Sequence, residues 1–321
     1  MEPKLETLQE AIVYFSNPVN CREYLVARRW PDGVICPRCQ SKKVKFLERY
    51  NRWQCSSRHA SRQFTVKTGT IFEDSPLGLD KWLAAMWQVV NCKNGVSSYE
   101  VHRAIGITQK SAWFMDHRIR FALQAGSLTK IGGEGSEVEV DETFIGGKAR
   151  NMHKSKKRGK GYQHRGIINK TIVMGMLERG GRVRTKVIGD REKETLHAQV
   201  AECIAEGTNI YSDEWGPYTG LDEKFVHQVI NHAEKYVDGR VHTNGMENFW
   251  SLLKRGLTGT YVSVEPFHLF RYLDEEMFRY NNRKLLNDGQ RFDLAVRQCF
   301  GKRLTWNELT GKELQPSMAN M

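Results

Sequence analysis

No uninterrupted run of roughly 18 apolar residues, the length a membrane-crossing helix needs, occurs in this sequence. The N-terminus, M-E-P-K-L-E-T-L-Q-E, also lacks the basic-then-apolar layout of a secretory signal. Both absences argue for a soluble, cytoplasmic chain. Cysteine is sparse and odd in number, seven residues in 321, which does not suit a disulfide framework. Cys21, Cys92, Cys203 and Cys299 are scattered and read as reduced thiols. Acidic residues are in deficit: 37 Asp and Glu face 49 Lys and Arg, for a net charge of +12 and a pI near 9.3. That balance favours a polyanionic partner, nucleic acid first, and leaves the fold open. The length predicts about two domains.

What is present begins with an anomaly. The stretch V-E-V-D-E-T-F-I-G-G-K, which starts at Val138, has the β-branched and aromatic content of a buried strand, closed by Gly146 and Gly147, yet it carries Asp141. A carboxylate there loses hydration at a cost of several kcal/mol unless a cation or a donor replaces the water. Two later acids are suited to share a cation with it. Asp213 ends the strand-like N-I-Y-S-D, and Glu247 lies in M-E-N-F-W-S-L-L-K, which has helical spacing. Hard oxygen ligands of this kind select Mg²⁺ or Mn²⁺.

The other three cysteines cluster. Cys36-Pro-Arg-Cys39 precedes a strand-like V-K-F-L-E-R-Y-N-R-W-Q and then Cys55-Ser-Ser-Arg-His59. A CxxC knuckle, a hairpin and a second ligand pair is the layout of a zinc ribbon, with a closed, structural Zn²⁺ site. The second knuckle departs from CxxC, because position 58 is Arg, so the fourth ligand is His59 or lies elsewhere. Residues 64 to 75 are expected to add a strand-turn-strand.

From Leu79 the period changes to that of an amphipathic helix, with Leu79, Trp82, Leu83, Met86, Val89 and Val90 on one side, ended by Asn94-Gly95. A short helix over 98–104, a turn at Gly106, Thr108 as N-cap and a helix over 109–124 follow. That pairing predicts a helix-turn-helix whose second helix presents Gln109 and Lys110 to a major groove. The glycine-rich 126–136 is the best boundary in the chain. Residues 148–170 hold nine Lys or Arg and two His, and read as a phosphate-binding arm with Lys154, Lys156, Lys157 and Arg158 at its centre.

The remainder alternates. T-I-V-M-G-M-L and R-V-R-T-K-V-I form a hairpin, E-T-L-H-A-Q-V-A-E-C-I-A a helix, N-I-Y-S-D and F-V-H-Q-V-I-N-H strands, and G-M-E-N-F-W-S-L-L-K-R a long helix. The order β-β-β-α-β-α-β-α is that of a ribonuclease H-like α/β domain, a mixed five-stranded sheet with helices, in which the first and fourth strands are neighbours. The expected organisation is an N-terminal helix and zinc ribbon over 1–76, the helix-turn-helix region over 77–130, the ribonuclease H-like domain over 131–290 with its basic insert, and a tail over 291–321.

Nearly the whole chain resembles the DDE transposases of prokaryotic insertion sequences, in the branch with an N-terminal zinc ribbon. The resemblance is carried by C-P-R-C, G-T-I-F-E-D-S-P, V-D-E-T-F-I-G-G-K, Y-S-D-E-W, V-H-T-N-G-M-E-N-F-W-S-L-L-K-R-G and R-Y-L-D-E-E-M-F-R-Y-N-N-R. It implies that Asp141, Asp213 and Glu247 are the catalytic carboxylates, with Glu247 34 positions after Asp213 and Lys254 seven further as the accompanying basic residue. Asn244, one turn before Glu247, is the alternative or assisting third residue. It further implies binding of terminal inverted repeats and target DNA, metal-dependent cleavage and strand transfer, and a homo-oligomer assembled on DNA. Two other classes share part of the pattern. A zinc-ribbon/helix-turn-helix transcription regulator leaves the acids without a reason, and a ribonuclease H-like nuclease or resolvase does not need two N-terminal DNA-binding modules. His242, beside Thr243, reads more simply as structural than as a DNA contact.

Overall fold

A computed structural model describes residues 4–124, 130–147, 170–213, 216–221, 224–230 and 242–312. The chain divides into two compact units, 1–124 with 282–321 and 125–281. Among the described residues no helix is long and apolar enough to cross a membrane.

The first unit opens with helices α1 (Leu8–Phe15) and α2 (Pro18–Arg29), each started by a side-chain cap, from Thr7 and Asn17. Strands β1 (Val44–Leu47), β2 (Arg52–Cys55) and β3 (Gln63–Phe64) then form a small antiparallel sheet. The expected strand-turn-strand over 64–75 does not form beyond Phe64. Successive turns close there instead, with N–H to C=O bonds from Thr68 to Thr65, Thr70 to Lys67, Glu73 to Thr70 and Ser75 to Phe72. The apolar side chains that suggested a strand, Ile71 and Phe72, are fully buried within this run of turns.

Helices α3 (Leu79–Asn91), α4 (Ser98–Ile105) and α5 (Gln109–Leu123) follow. Gly106 ends α4 in the left-handed region at φ 62°, a conformation that costs glycine little, and Thr108 caps α5 through the Ser111 N–H.

The second unit is built on a five-stranded mixed sheet. Its strands are β4 (Glu137–Ile145), β5 (Thr171–Glu178), β6 (Val183–Ile188), β7 (Asn209–Asp213) and β8 (Val226–Ile230), in the order β6-β5-β4-β7-β8. The first three are antiparallel, while β4–β7 and β7–β8 pair in parallel. First and fourth strands are therefore adjacent, as the element order predicts.

Helix α6 (Lys193–Cys203) shares a core with one sheet face through Leu196, Val200, Val138, Val140, Met174 and Met176. Helices α7 (Asn244–Gly259) and α8 (Leu269–Asn282) cover the other through Met246, Phe249, Trp250, Leu253, Leu273, Val173 and Leu177. Asn281 of α8 accepts from the Val183 N–H (2.8 Å) and donates to its carbonyl (3.0 Å), occupying bonds that an edge strand would otherwise leave open.

Where the sequence suggests a tail, the chain returns to the first unit with helices α9 (Asp288–Arg297) and α10 (Trp306–Leu309). Phe292 is fully buried, with ring centroids 5.8 Å from Phe15, 5.9 Å from Tyr24 and 5.0 Å from Trp87. Lys302 Nζ donates to the carbonyls of Ala122 (2.7 Å) and Gln124 (3.0 Å), satisfying the C-terminal end of α5.

Candidate active site and metal centre

Alternation along β4 puts Glu137, Glu139 and Asp141 on the face that α7 covers, with Val138 and Val140 on the other. Asp141 pairs with Gly175 of β5. A Cβ at Gly175 would lie 2.2 Å from Met246 Cε and 2.5 Å from Trp250 Cζ2, so the strand has no side chain where the helix comes closest. That approach lets the Trp250 indole N–H donate to Asp141 Oδ2 at 2.9 Å, while the Glu142 N–H donates to Oδ1 at 2.8 Å. The carboxylate plane is thereby held from two sides. Glu142 belongs to the opposite face, where the Tyr218 hydroxyl donates to it.

The parallel register pairs Glu139 with Tyr211. Asp141 and Asp213 follow two residues further along these neighbouring strands, just past the last recorded pair. Glu247 is exposed in the first turn of α7, three residues before Trp250. Asn244 begins the same helix and is exposed, as is Lys254 two turns beyond Glu247.

The fully buried acid of β4 is Glu139, 1 % exposed, and Asp141 is only half-buried. Sequence reasoning singles out Asp141 and passes over Glu139, which receives the Met246 N–H at 2.9 Å and so satisfies an open donor at the start of α7. Arg179 donates Nε to Glu139 at 2.9 Å. His242 is built into the same cluster, its Nδ1 3.3 Å from Glu139 Oε1, in keeping with a structural histidine. The only sequence signal for this cluster is the period of two that puts Glu139 on the face of Asp141.

In the ribbon, Cys36, Cys39, Cys55 and His59 bring one ligand atom each to within 4.8 Å of one another. Cys36 Sγ lies 3.5 Å from His59 Nε2, and Cys39 Sγ 3.6 Å from Cys55 Sγ. Tetrahedral zinc with Zn–S arms of about 2.3 Å sets ligand atoms about 3.7 Å apart, so the four fit a closed site. His59 Nδ1 stands 2.7 Å from the Ala60 carbonyl, which only accepts. Nδ1 therefore donates to that carbonyl, which turns Nε2 toward the cysteines, where its proton can be given up to a metal. Burial opposes a thiolate at Cys55, but hydrogen bonds from His59, the Ser57 backbone and Cys39 outweigh it and hold the pKa well below the usual thiol value. His59, reached by a CxxxH spacing, is thus the fourth member.

Of the residues expected to read DNA, Gln109 is half-buried and donates to Ser98 Oγ at 2.9 Å, joining the starts of α5 and α4. Lys110 is exposed, its Nζ 4.8 Å above the Trp306 ring. From Met115 to Arg120 every residue of α5 is buried, and the one exposed residue of that helix is Lys110 in its first turn. Lys154, Lys156, Lys157 and Arg158 lie outside the described residues.

Residues 131–281 match the family described as ISXO2-like transposase domain, and residues 17–59 match the transposase zinc-ribbon domain. The chain is also 28 % identical over 242 residues, 72 % of its length and 80 % of the relative's, to an uncharacterized protein in transposable element ISH50 of Halobacterium salinarum.

Proposed function

We propose, for a chain that belongs to the insertion-sequence transposases by its ISXO2-like and zinc-ribbon domains, that it cuts DNA at the terminal inverted repeats of its element and joins the freed ends to target DNA. The sheet of 131–281 is read as ribonuclease H-like. Asp141, Asp213 and Glu247 hold the divalent cations, with Asn244 as the alternative third ligand. What supports this reading is the parallel pairing of Glu139 with Tyr211, which stand two residues before Asp141 and Asp213 on adjacent strands, under a helix that hydrogen-bonds Asp141 and bears Glu247.

When bound, Mg²⁺ or Mn²⁺ supplies activation of the attacking oxygen and stabilisation of the leaving 3′-oxygen in an in-line displacement at phosphorus. Water attacks first and releases a 3′-OH at the element's end. That hydroxyl then attacks a target phosphodiester, so one P–O bond forms as another breaks. No protein nucleophile is needed. Trp250 and the Glu142 N–H orient Asp141, and Lys254 contacts a phosphate near the scissile bond. The Cys36, Cys39, Cys55 and His59 site holds a structural zinc. Helices α4 and α5 act as a helix-turn-helix in which the first turn of α5 reads bases, and the arm at 148–170 binds backbone phosphates. The active form is a homo-oligomer assembled on DNA.

The test is cleavage and joining of the element's own ends. Asp141→Ala and Asp213→Ala should abolish cleavage and leave end binding in place, because metal ligands act on the transition state while basic residues hold the duplex. Wild-type cleavage by either variant overturns the assignment.

A further inference from the structure

Arg179, one residue past β5, meets β4, β7 and His242, two residues before the start of α7. Its N–H donates to the Glu137 carbonyl at 2.9 Å. Its guanidinium donates Nε to Glu139 Oε1 (2.9 Å) and Nη2 to the His242 carbonyl (2.8 Å), with Nη1 3.5 Å from Glu137 Oε2. The same group lies 4.4 Å over the ring of Tyr211, whose hydroxyl donates to Glu137 Oε1 at 2.9 Å. Glu139 passes the connection on to the Met246 N–H in α7.

The offsets are short. Glu139 stands two residues before Asp141 in β4, Tyr211 two before Asp213 in β7, and Met246 one before Glu247 in α7. An arginine–carboxylate pair this buried is a weak source of stability, since desolvation offsets much of its attraction. What a planar fork of fixed donors provides, and apolar packing does not, is a defined register between the pieces it bonds.

We infer that Arg179 is a positioning residue which, through Glu139 and the His242 carbonyl, fixes the separation of the Asp141, Asp213 and Glu247 carboxylates and so sets the affinity of the site for divalent cations. The inference rests on the reading of those three acids as metal ligands. A residue whose only task is to hold the unit together changes melting, whereas this one changes metal affinity in a folded protein.

The experiment uses the full chain with Arg179→Met, Arg179→Lys and Glu139→Gln. Mn²⁺ binding is followed by electron paramagnetic resonance, Mg²⁺ half-saturation by cleavage of end DNA, and amide exchange over 242–250 by mass spectrometry. Metal affinity should fall about 10- to 100-fold in all three, the range for residues that orient metal ligands, with faster exchange at the start of α7. Arg179→Lys retains the charge but not the fork, so it should keep the melting temperature and still bind metal more weakly. Should Arg179→Met fail to fold, the other two variants decide. Wild-type Mn²⁺ binding and Mg²⁺ half-saturation in Arg179→Lys and Glu139→Gln overturn the inference, whatever their melting temperatures. Asp141→Ala in the same titration separates the two levels: undiminished Mn²⁺ binding there overturns the metal reading of the acids, while weakened binding in Asp141→Ala alone overturns only the role of Arg179.

Discussion

Trp250 gives Asp141 a donor from another element, on the oxygen that the Glu142 N–H does not reach. Trp250→Phe keeps most of the packing against Gly175 and removes only the donor. It should lower the cleavage rate by about tenfold, as removal of a ligand-orienting bond does elsewhere, with a near-unchanged melting temperature. A variant that melts early and cleaves normally would make the indole a packing residue alone. For the proposed third ligand, Glu247→Gln and Asn244→Ala are to be compared in the same assay. Abolished cleavage in Asn244→Ala only would transfer the role to Asn244. Asp141 stands out in the sequence because a carboxylate among β-branched residues is expensive to bury, although in the fold it is only half-buried. Glu139 was not, because a period of two assigns it a face but cannot say that the start of a helix some hundred residues later supplies its donor.

Among the elements, the packing of α7 on β5 depends on the missing side chain at Gly175. Gly175→Ala would press on Met246, which can yield, and on Trp250, which cannot without leaving Asp141. Overpacking of this kind costs about 1–3 kcal/mol, so the variant should melt earlier and cleave more slowly than Trp250→Phe, as a thermal melt and a cleavage assay on one preparation would record. In the ribbon, Cys36→Ser should release close to one zinc per chain and unfold the 36–64 segment, since binding energy at a structural site is folding energy. Metal analysis finding no zinc in the wild-type protein would refute that. The ribbon's three cysteines were readable from spacing and His59 only as a candidate beside them, whereas the turns over 65–75 were not: an apolar pair, Ile71-Phe72, buries equally well in a strand or in a tight turn.

Across the whole molecule, residues 282–312 complete the unit that the first 124 residues begin. Asp293 accepts from Tyr24 at 3.0 Å and pairs with Arg28, and although burial opposes its charge, Arg297 and Arg28 hold its pKa below the ordinary 3.8. A depressed carboxylate stabilises above its unfolded pKa and ceases to as pH falls through the folded one. Asp293→Asn should therefore lower the melting temperature at neutral pH, and the gap to wild type should close as pH drops below 3.8. A gap independent of pH would assign the effect to packing. The proposed role of the basic stretch at 148–170 belongs to this scale too. Neutralising Lys154, Lys156, Lys157 and Arg158 together should weaken binding to matched and scrambled DNA alike, and flatten the salt dependence by up to about 0.9 log unit for each phosphate the arm no longer neutralises. Substituting Gln109 and Lys110 should instead reduce discrimination between the two DNAs, and the opposite pattern would exchange the roles.

The sequence by itself determined whatever depends on local pattern: the clustering of Cys36, Cys39 and Cys55 with His59 as the candidate fourth member, the helix start at Thr108, the five strands of the second unit, and the neighbouring placement of β4 and β7 that follows from their order. Tertiary structure decided what depends on distant partners. Phe292 gives no sign in the 291–321 segment that its neighbours are Phe15, Tyr24 and Trp87, since a helix of ten residues buries its apolar side against whatever the chain's return path offers. Nor does any spacing foretell that Arg179 joins Glu139, Tyr211 and His242, because a guanidinium reads alike in solvent and in a buried cluster until the elements around it are in place.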